Sequence, residues 1–208
     1  MRKGIAYIVG AGDFDKRGFA PMQDDLVIAA DGGYDSLARH HLRVDLLLGD
    51  LDSIAQVPSG IARLRFPPKK DLTDMAIGIQ MAKGRGYRRF LLYGALGKRL
   101  DHTLANLQLL SGLAKDEYQA KIMSGNLIVH ALSDSCLFLP PVKKGSLISV
   151  FCWGDRAEGV TLKGLKYPLE NAVLTAHEPL GISNEGRGTP AKISVRQGVL
   201  LVFQYLQV

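Results

Sequence analysis

The stretch Leu46-Leu47-Leu48-Gly49-Asp50-Leu51-Asp52-Ser53 constrains the fold more than any other part of this chain. Three leucines that stop at a glycine read as the end of a strand buried on both faces, as strands of a parallel sheet are. The acids then stand where open α/β sheets bind ligands, outside the carboxyl ends of the strands. Asp50 and Asp52 are spaced i, i+2, so in extended backbone both carboxylates point to one side. Two like charges held that close repel unless a cation sits between them. A second junction of the same kind, Leu26-Val27-Ile28-Ala29-Ala30-Asp31-Gly32-Gly33, lies just upstream. The pair implies a divalent metal at the rim of a parallel sheet, and hence phosphate chemistry.

The rest of the first half agrees with such a sheet. Strand-like runs at 5–9, 26–30, 46–48, 90–93 and 120–123 alternate with helix-like stretches at 34–39, 73–83 and 102–113. In the last of these, Leu104, Leu107 and Leu110 predict one apolar stripe. Strand–helix alternation means right-handed crossovers and a parallel sheet covered on both faces, a Rossmann-like α/β domain over residues 1–124. Past Ser124-Gly125-Asn126 the pattern changes to short β-like segments at 127–131, 136–139, 147–153, 160–165, 192–195 and 199–205. Gln197-Gly198 reads as the turn of a terminal hairpin. Residues 125–208 are therefore expected to form a small antiparallel β-sandwich or barrel domain.

Acid usage follows the same division. All 5 glutamates lie at or after Glu117, while 13 of the 15 aspartates lie at or before Asp116. Aspartate is short and stiff, and suits turns, helix caps and metal sites. The acids of the first half fall into four clusters: Asp31-Gly32-Gly33, Gly49–Ser53, Asp71-Leu72-Thr73-Asp74 and Arg99-Leu100-Asp101-His102. Each sits at an expected strand end or helix start, positions that a parallel sheet gathers along one rim. Asp50 and Asp52 are the first candidates for Mg2+ ligands, with Asp31 and Asp74 around them. Helix capping is the competing role for Asp74 and Asp101.

Tyr93-Gly94-Ala95-Leu96-Gly97-Lys98-Arg99 follows a strand and opens a helix. Gly94 and Gly97 would let backbone approach a phosphate, and the helix start presents free N–H groups. Lys98 and Arg99 add positive charge, Arg99 with a fork suited to bidentate contact. The spacing is not that of a Walker loop. Gly10-Ala11-Gly12 is an incomplete dinucleotide fingerprint and is set aside. His40 and His41 are adjacent, cannot share a helical face, and read as surface residues. Trp153 and Tyr167 read as core or rim of the second domain.

Other functions are excluded by composition. The net charge of +6 comes from dispersed basic residues, and neither Arg63/Arg65/Lys69/Lys70 nor Lys83/Arg85/Arg88/Arg89 carries interleaved aromatics. That argues against nucleic-acid binding. No apolar run approaches the roughly 20 residues that span a bilayer, so no membrane role is expected. Met1-Arg2-Lys3-Gly4-Ile5 runs straight into a strand without a signal-peptide pattern, which implies a cytoplasmic protein. Cys136 and Cys152 lack metal-ligand spacing and are expected as buried free thiols.

Taken in order, these motifs resemble the thiamine pyrophosphokinase (thiamine diphosphokinase) family over nearly the whole chain. Its A-D-G-G, G-D-x-D-S, D-x-T-D, G-x-x-G-x-R-x-D-H and late S-N elements match Ala30–Gly33, Gly49–Ser53, Asp71–Asp74, Gly94–His102 and Ser183-Asn184. The resemblance implies transfer of a pyrophosphoryl group from ATP to the hydroxyl of thiamine, with AMP leaving. It implies a homodimer with active sites at the subunit interface. By position, Asp50 and Asp52 would hold Mg2+, with Asp31 and Asp74 near metal and phosphates. Gly32, Gly33, Thr73, Gly94, Gly97, Lys98, Arg99, Asp101 and His102 would border the nucleotide. Ser183 and Asn184 would touch thiamine from the partner subunit. The chain departs from the pattern at Lys98, where a glycine is common, at Gly186, where an aromatic is common, and after Asp74, where an acid is common. Two other readings of the same layout are a different Mg-dependent phosphotransferase or phosphohydrolase, and a nucleotide-binding regulatory module without turnover.

Overall fold

A computed structural model of the chain describes residues 4–49, 60–65 and 71–207. Contacts divide it into two units, Met1–Leu109 with Tyr118–Gly125, and Leu110–Glu117 with Asn126–Val208. The chain is mixed α/β, with a mostly parallel sheet and a separate antiparallel one.

In the first unit, strands β1 (Ala6–Val9), β2 (Leu26–Ala30), β3 (Leu46–Gly49), β4 (Ala62–Arg65), β5 (Arg89–Tyr93) and β6 (Gln119–Ser124) pair in parallel. Their order is β6-β5-β1-β2-β3-β4. Every residue of β1, β2 and β3 is buried, which is why these strands read as continuous apolar runs rather than alternating ones. β2 lies on one side of β1 and β5 on the other, so the strand order reverses at β1. Such a reversal opens a crevice beyond the carboxyl ends of the strands.

Helix α1 (Gly33–Arg39) packs on β1 and β2, and its Leu37 joins Tyr7, Val9, Phe19, Val27 and Tyr93 in a partly aromatic core. Helix α2 (Asp74–Gly84) also packs on β1 and β2, where Gly78 lets it come close. A Cβ at Gly78 would lie 3.0 Å from Ile8 Cγ2. Thr73 caps α2, its Oγ1 accepting the Ala76 N–H at 3.2 Å. Helix α3 (Leu100–Lys115) buries Leu107, Leu110 and Leu113, whereas Leu104 is 48% exposed. The stripe thus starts one turn later than the sequence predicts, because the first turn stands at the sheet rim, where His102 lines a cavity.

The second unit contains β7 (Leu127–Ser133), β8 (Cys136–Leu139), β9 (Leu147–Cys152), β10 (Arg156–Lys163), β11 (Leu169–Thr175), β12 (Gly181–Glu185), β13 (Ala191–Ser194) and β14 (Val199–Tyr205). They pair antiparallel in two groups, β12-β9-β14-β7 and β11-β10-β13-β8. One core takes Ile148, Val150, Leu200 and Val202 from the first group and Val160, Leu162, Leu174 and Ile193 from the second.

Two expectations are overturned here. No terminal hairpin forms: β13 pairs with β8 and β10, while β14 pairs with β7 and β9. Arg196 and Gln197 donate their N–H groups to the Glu158 carbonyl, and Gly198 N–H goes to Asp134 Oδ1 at 2.7 Å. Gln197-Gly198 therefore carries the chain between the two groups, with Gly198 at φ +107°. Both cysteines are free, but neither is buried. Cys136 opens β8, the last strand of its group, and is exposed. Cys152 is half-buried, with its Sγ donating to the Gly154 carbonyl at 3.2 Å.

Candidate active site

A cavity of about 310 Å³ opens beyond the carboxyl ends of β1, β2 and β5, within the first unit. It brings together residues from three of the four acidic clusters. Asp31 follows β2, Thr73 and Asp74 start α2, and Gly94, Gly97, Lys98, Arg99 and His102 span the loop from β5 into α3. Asp50, Asp52 and Ser53, the strongest metal candidates by sequence, lie outside the described residues.

Backbone conformation is unusual around this cavity. Asp31 (φ +50°) and Lys98 (φ +51°) are left-handed without being glycine, and Gly94 (φ +55°) and Gly97 (φ +83°) stand beside them in the lining. Non-glycine residues in this region cluster at functional sites, where the surrounding structure holds them. Asp31 is held by its N–H on the Leu48 carbonyl at 2.7 Å and by the α-carbon of Gly49, where a Cβ would lie 3.1 Å from Asp31 Cα.

Gly10, Ala11 and Gly12 also line the cavity, although in sequence they form only an incomplete fingerprint. The amides of Gly10 and Gly12 are already committed to backbone partners. Gly10 and Gly12 donate to the Tyr93 and Gly94 carbonyls, and Asp13 donates to Leu96, each at 2.8 Å. A Cβ at Gly12 would lie 2.3 Å from the Leu96 carbonyl oxygen. The glycines are needed because two loops run in backbone contact, a pairing that no local motif encodes. Lys98 adds a side-chain link, its Nζ donating to the Ala11 carbonyl at 2.6 Å. Asn106 is the other lining residue that sequence reasoning missed. It is buried and donates to the Ala95 carbonyl at 2.7 Å, tying the loop to α3.

Three of the remaining candidates support the cavity without lining it. Gly32 is the N-cap residue of α1. A Cβ at Gly33 would lie 1.9 Å from the Val9 carbonyl oxygen, so glycine lets α1 start against β1. Asp101 accepts from Arg99 at both guanidinium edges, 3.1 Å from Nε and 2.5 Å from an Nη. That contact lowers the Asp101 carboxyl to about 2 and raises the Arg99 guanidinium.

Among the described residues, no group of three or more His, Cys, Asp or Glu is placed to hold a metal ion. Asp31 and Asp74 nevertheless bring carboxylate oxygens to one cavity. Mg2+ characteristically takes one or two carboxylates together with substrate phosphates, so this hard-oxygen donor set fits that ion.

Ser183 and Asn184 lie on β12 in the second unit. Ser183 is exposed, left-handed at φ +56°, with its N–H on Ser149 Oγ at 3.1 Å. Asn184 is 2% exposed. Its Oδ1 accepts from Tyr167 and Glu185 N–H at 3.0 and 2.9 Å, and its Nδ2 donates to the Tyr167 carbonyl at 2.6 Å. This side chain fixes the segment carrying Tyr167, which is 54% exposed. No side chain fits at Gly186 without movement, since a Cβ would lie 2.6 Å from Val142 Cγ1 and 2.7 Å from the Lys143 carbonyl oxygen. Trp153 is half-buried and lines an apolar cavity of about 520 Å³ with Leu201 and Phe203. His40 and His41 are exposed, as expected.

Residues 22–122 match the family described as "Thiamin pyrophosphokinase, catalytic domain", and residues 137–200 match "Thiamin pyrophosphokinase, vitamin B1 binding domain". A thiamine pyrophosphokinase of Bacillus subtilis (strain 168) is 25% identical over 162 residues, 75% of this chain and 76% of that protein. The fold is similar to the crystal structure of thiamine pyrophosphokinase from Bacillus subtilis, with TM-score 0.87 and 23% identity over 98% of this chain and 100% of that one. It is also similar to thiamin pyrophosphokinase from Candida albicans, with TM-score 0.79 and 15% identity over 97% and 89% of the two chains.

Proposed function

The chain belongs to the thiamin pyrophosphokinase family, and from that premise we propose that it transfers a pyrophosphoryl group from ATP to the hydroxyl of thiamine, giving thiamine diphosphate and AMP with Mg2+. As a member it is an enzyme, a transferase. The observation that carries the reading is the cavity at the reversal of strand order, where two acids, a capped helix start and a basic glycine loop meet.

We assign residues 1–124 to ATP and metal binding in a Rossmann-like domain, and residues 125–208 to thiamine binding in a β-sandwich. Asp31 and Asp74 would hold Mg2+ together with Asp50 and Asp52, whose place in the G-D-x-D-S element carries their assignment. When bound, the ion would neutralise phosphate oxygens that gain charge as AMP leaves. Asp101 engages the Nε–Nη edge of Arg99 and orients the guanidinium, whose remaining N–H groups would contact the same oxygens. Gly94 and Gly97 let the backbone come close. Asp74 is the proposed acceptor of the thiamine hydroxyl proton. Thiamine is a cation, and the acids of the rim favour its approach. Ser183 is the proposed direct thiamine contact, and Asn184 supports it from within β12. The working form is a homodimer in which Ser183 and Asn184 serve the partner's site.

Thiamine-dependent AMP release tests the reaction. AMP should form only with thiamine, ATP and Mg2+ present, and Asp50→Asn or Asp52→Asn should each lower turnover roughly 100-fold or more while the fold survives. Phosphate release without thiamine would replace this reading with a hydrolase, and ATP binding without turnover would replace it with a regulatory module. Full activity of both variants at saturating Mg2+ would remove the metal assignment.

A further inference from the structure

The lysine at position 98 is in a conformation that glycine would adopt more easily. It sits at φ +51° directly after Gly97 at φ +83°, so two successive left-handed residues turn the loop back toward Gly10–Gly12. A Cβ is disfavoured in that region, and such an outlier persists only where its surroundings hold it. Here the holding contact comes from its own side chain. The ammonium crosses 87 positions of sequence to reach the Ala11 carbonyl at 2.6 Å. It takes this neutral acceptor although Asp31 and Asp74 line the same cavity.

The Ala11 loop is also held by three backbone bonds to Tyr93, Gly94 and Leu96 of the same segment that carries Lys98. Those bonds fix Gly10, Gly12 and Asp13, and the ammonium adds the fixing of Ala11 between them. Gly10, Ala11 and Gly12 belong to the wall of one cavity, and Asp13 follows directly behind them. We infer that Lys98 is a positioning residue, whose pin on Ala11 holds this wall in place for the nucleotide and thereby sets nucleotide affinity. The inference rests on the proposed ATP site. It differs from a direct phosphate contact in one respect: the pin acts before any ligand arrives.

That difference defines the test. Lys98→Gly keeps the left-handed backbone and loses the pin, Lys98→Met loses the pin and keeps the Cβ, and Lys98→Arg keeps a donor long enough to reach the carbonyl. Amide hydrogen exchange on the ligand-free protein and calorimetric titration with MgATP are measured on all three and on the parent. In the Gly and Met variants, exchange at Gly12 and Asp13 should quicken and MgATP affinity should fall, each by about 5- to 10-fold, the worth of one hydrogen bond. Lys98→Arg should stay near the parent in both. Lower affinity with unchanged exchange would make Lys98 a direct ligand contact and overturn the inference. Faster exchange with unchanged affinity would make the pin structural only, and also overturn it. Lys98→Gly serves alone should Lys98→Met fail to fold. A parent that binds MgATP but releases no AMP would sink the assigned reaction and leave the Lys98 comparison intact. A parent that binds no nucleotide would sink both.

Discussion

Asp101 shows how one contact sets the chemistry of a side chain that solvent reaches freely. Its carboxyl moves from an ordinary 3.8 to about 2, first through the hydrogen bond from Arg99, against desolvation, with the His102 N–H and the charges of Arg99 and His102 adding to the lowering. Because the folded carboxyl titrates below the unfolded one, the pair favours folding above the unfolded range, and that support is lost as pH falls through about 2. A carboxyl-resolved NMR titration should therefore place the Asp101 midpoint near 2, and Arg99→Gln should return it toward 3.8. A midpoint unmoved by Arg99→Gln would mean that the ion pair does not persist in solution. Asp101 then stays charged across physiological pH, so a limb in the activity profile there belongs to another group. At this scale the sequence discloses the residue and hides its partner. The pattern marked Asn184 for thiamine, but only the fold reveals that its amide is occupied with Tyr167 and Glu185.

Elements in this chain depend on glycine where backbones meet, and the same substitution should have opposite signs at two of them. Gly12→Ala would drive a Cβ to 2.3 Å from the Leu96 carbonyl oxygen and 2.6 Å from that of Gly94, both backbone atoms. It should cost about 1–3 kcal/mol, the range for overpacking, read as a lower urea midpoint with the slope unchanged. Gly112→Ala, inside α3 with no other atom within 4 Å of the new Cβ, should instead stabilise by about 0.5–1 kcal/mol. Destabilisation by Gly112→Ala would mean that α3 is packed there. The buried strands β1, β2 and β3 were legible because a strand covered on both faces leaves an uninterrupted apolar run. Strands β4, β11 and β12 were not. β4 alternates alanine and leucine with two arginines and is exposed throughout, Asn171 in β11 is left-handed, and β12 shifts register around Ser183. The cavity was half legible for a related reason: Asp31 follows a strand end and Asp74 opens a helix, whereas Gly10–Gly12 and Asn106 act through contacts between segments distant in sequence.

For the whole molecule, the proposed dimer predicts complementation. Asp50→Asn and Asn184→Ala subunits should each be defective alone. In a mixed dimer one shared site collects both defects and the other is assembled from intact parts, so mixing under exchange conditions should restore part of the activity. No recovery, with exchange confirmed by mass, would mean that each subunit carries its own complete site. Strand β4 bears on a different kind of association. Among the described residues it is the last strand in the order of the parallel sheet, and Ala62, Arg63, Leu64 and Arg65 are all exposed. An outer strand is a template on which another chain can add, and natural proteins counter this with short strands and charge. At four residues, with Arg63 and Arg65 on one face, β4 has both. Two molecules meeting along this margin would set arginine against arginine, and that like-charge contact opposes extension of the sheet into a fibre along the strand that buries none of its residues.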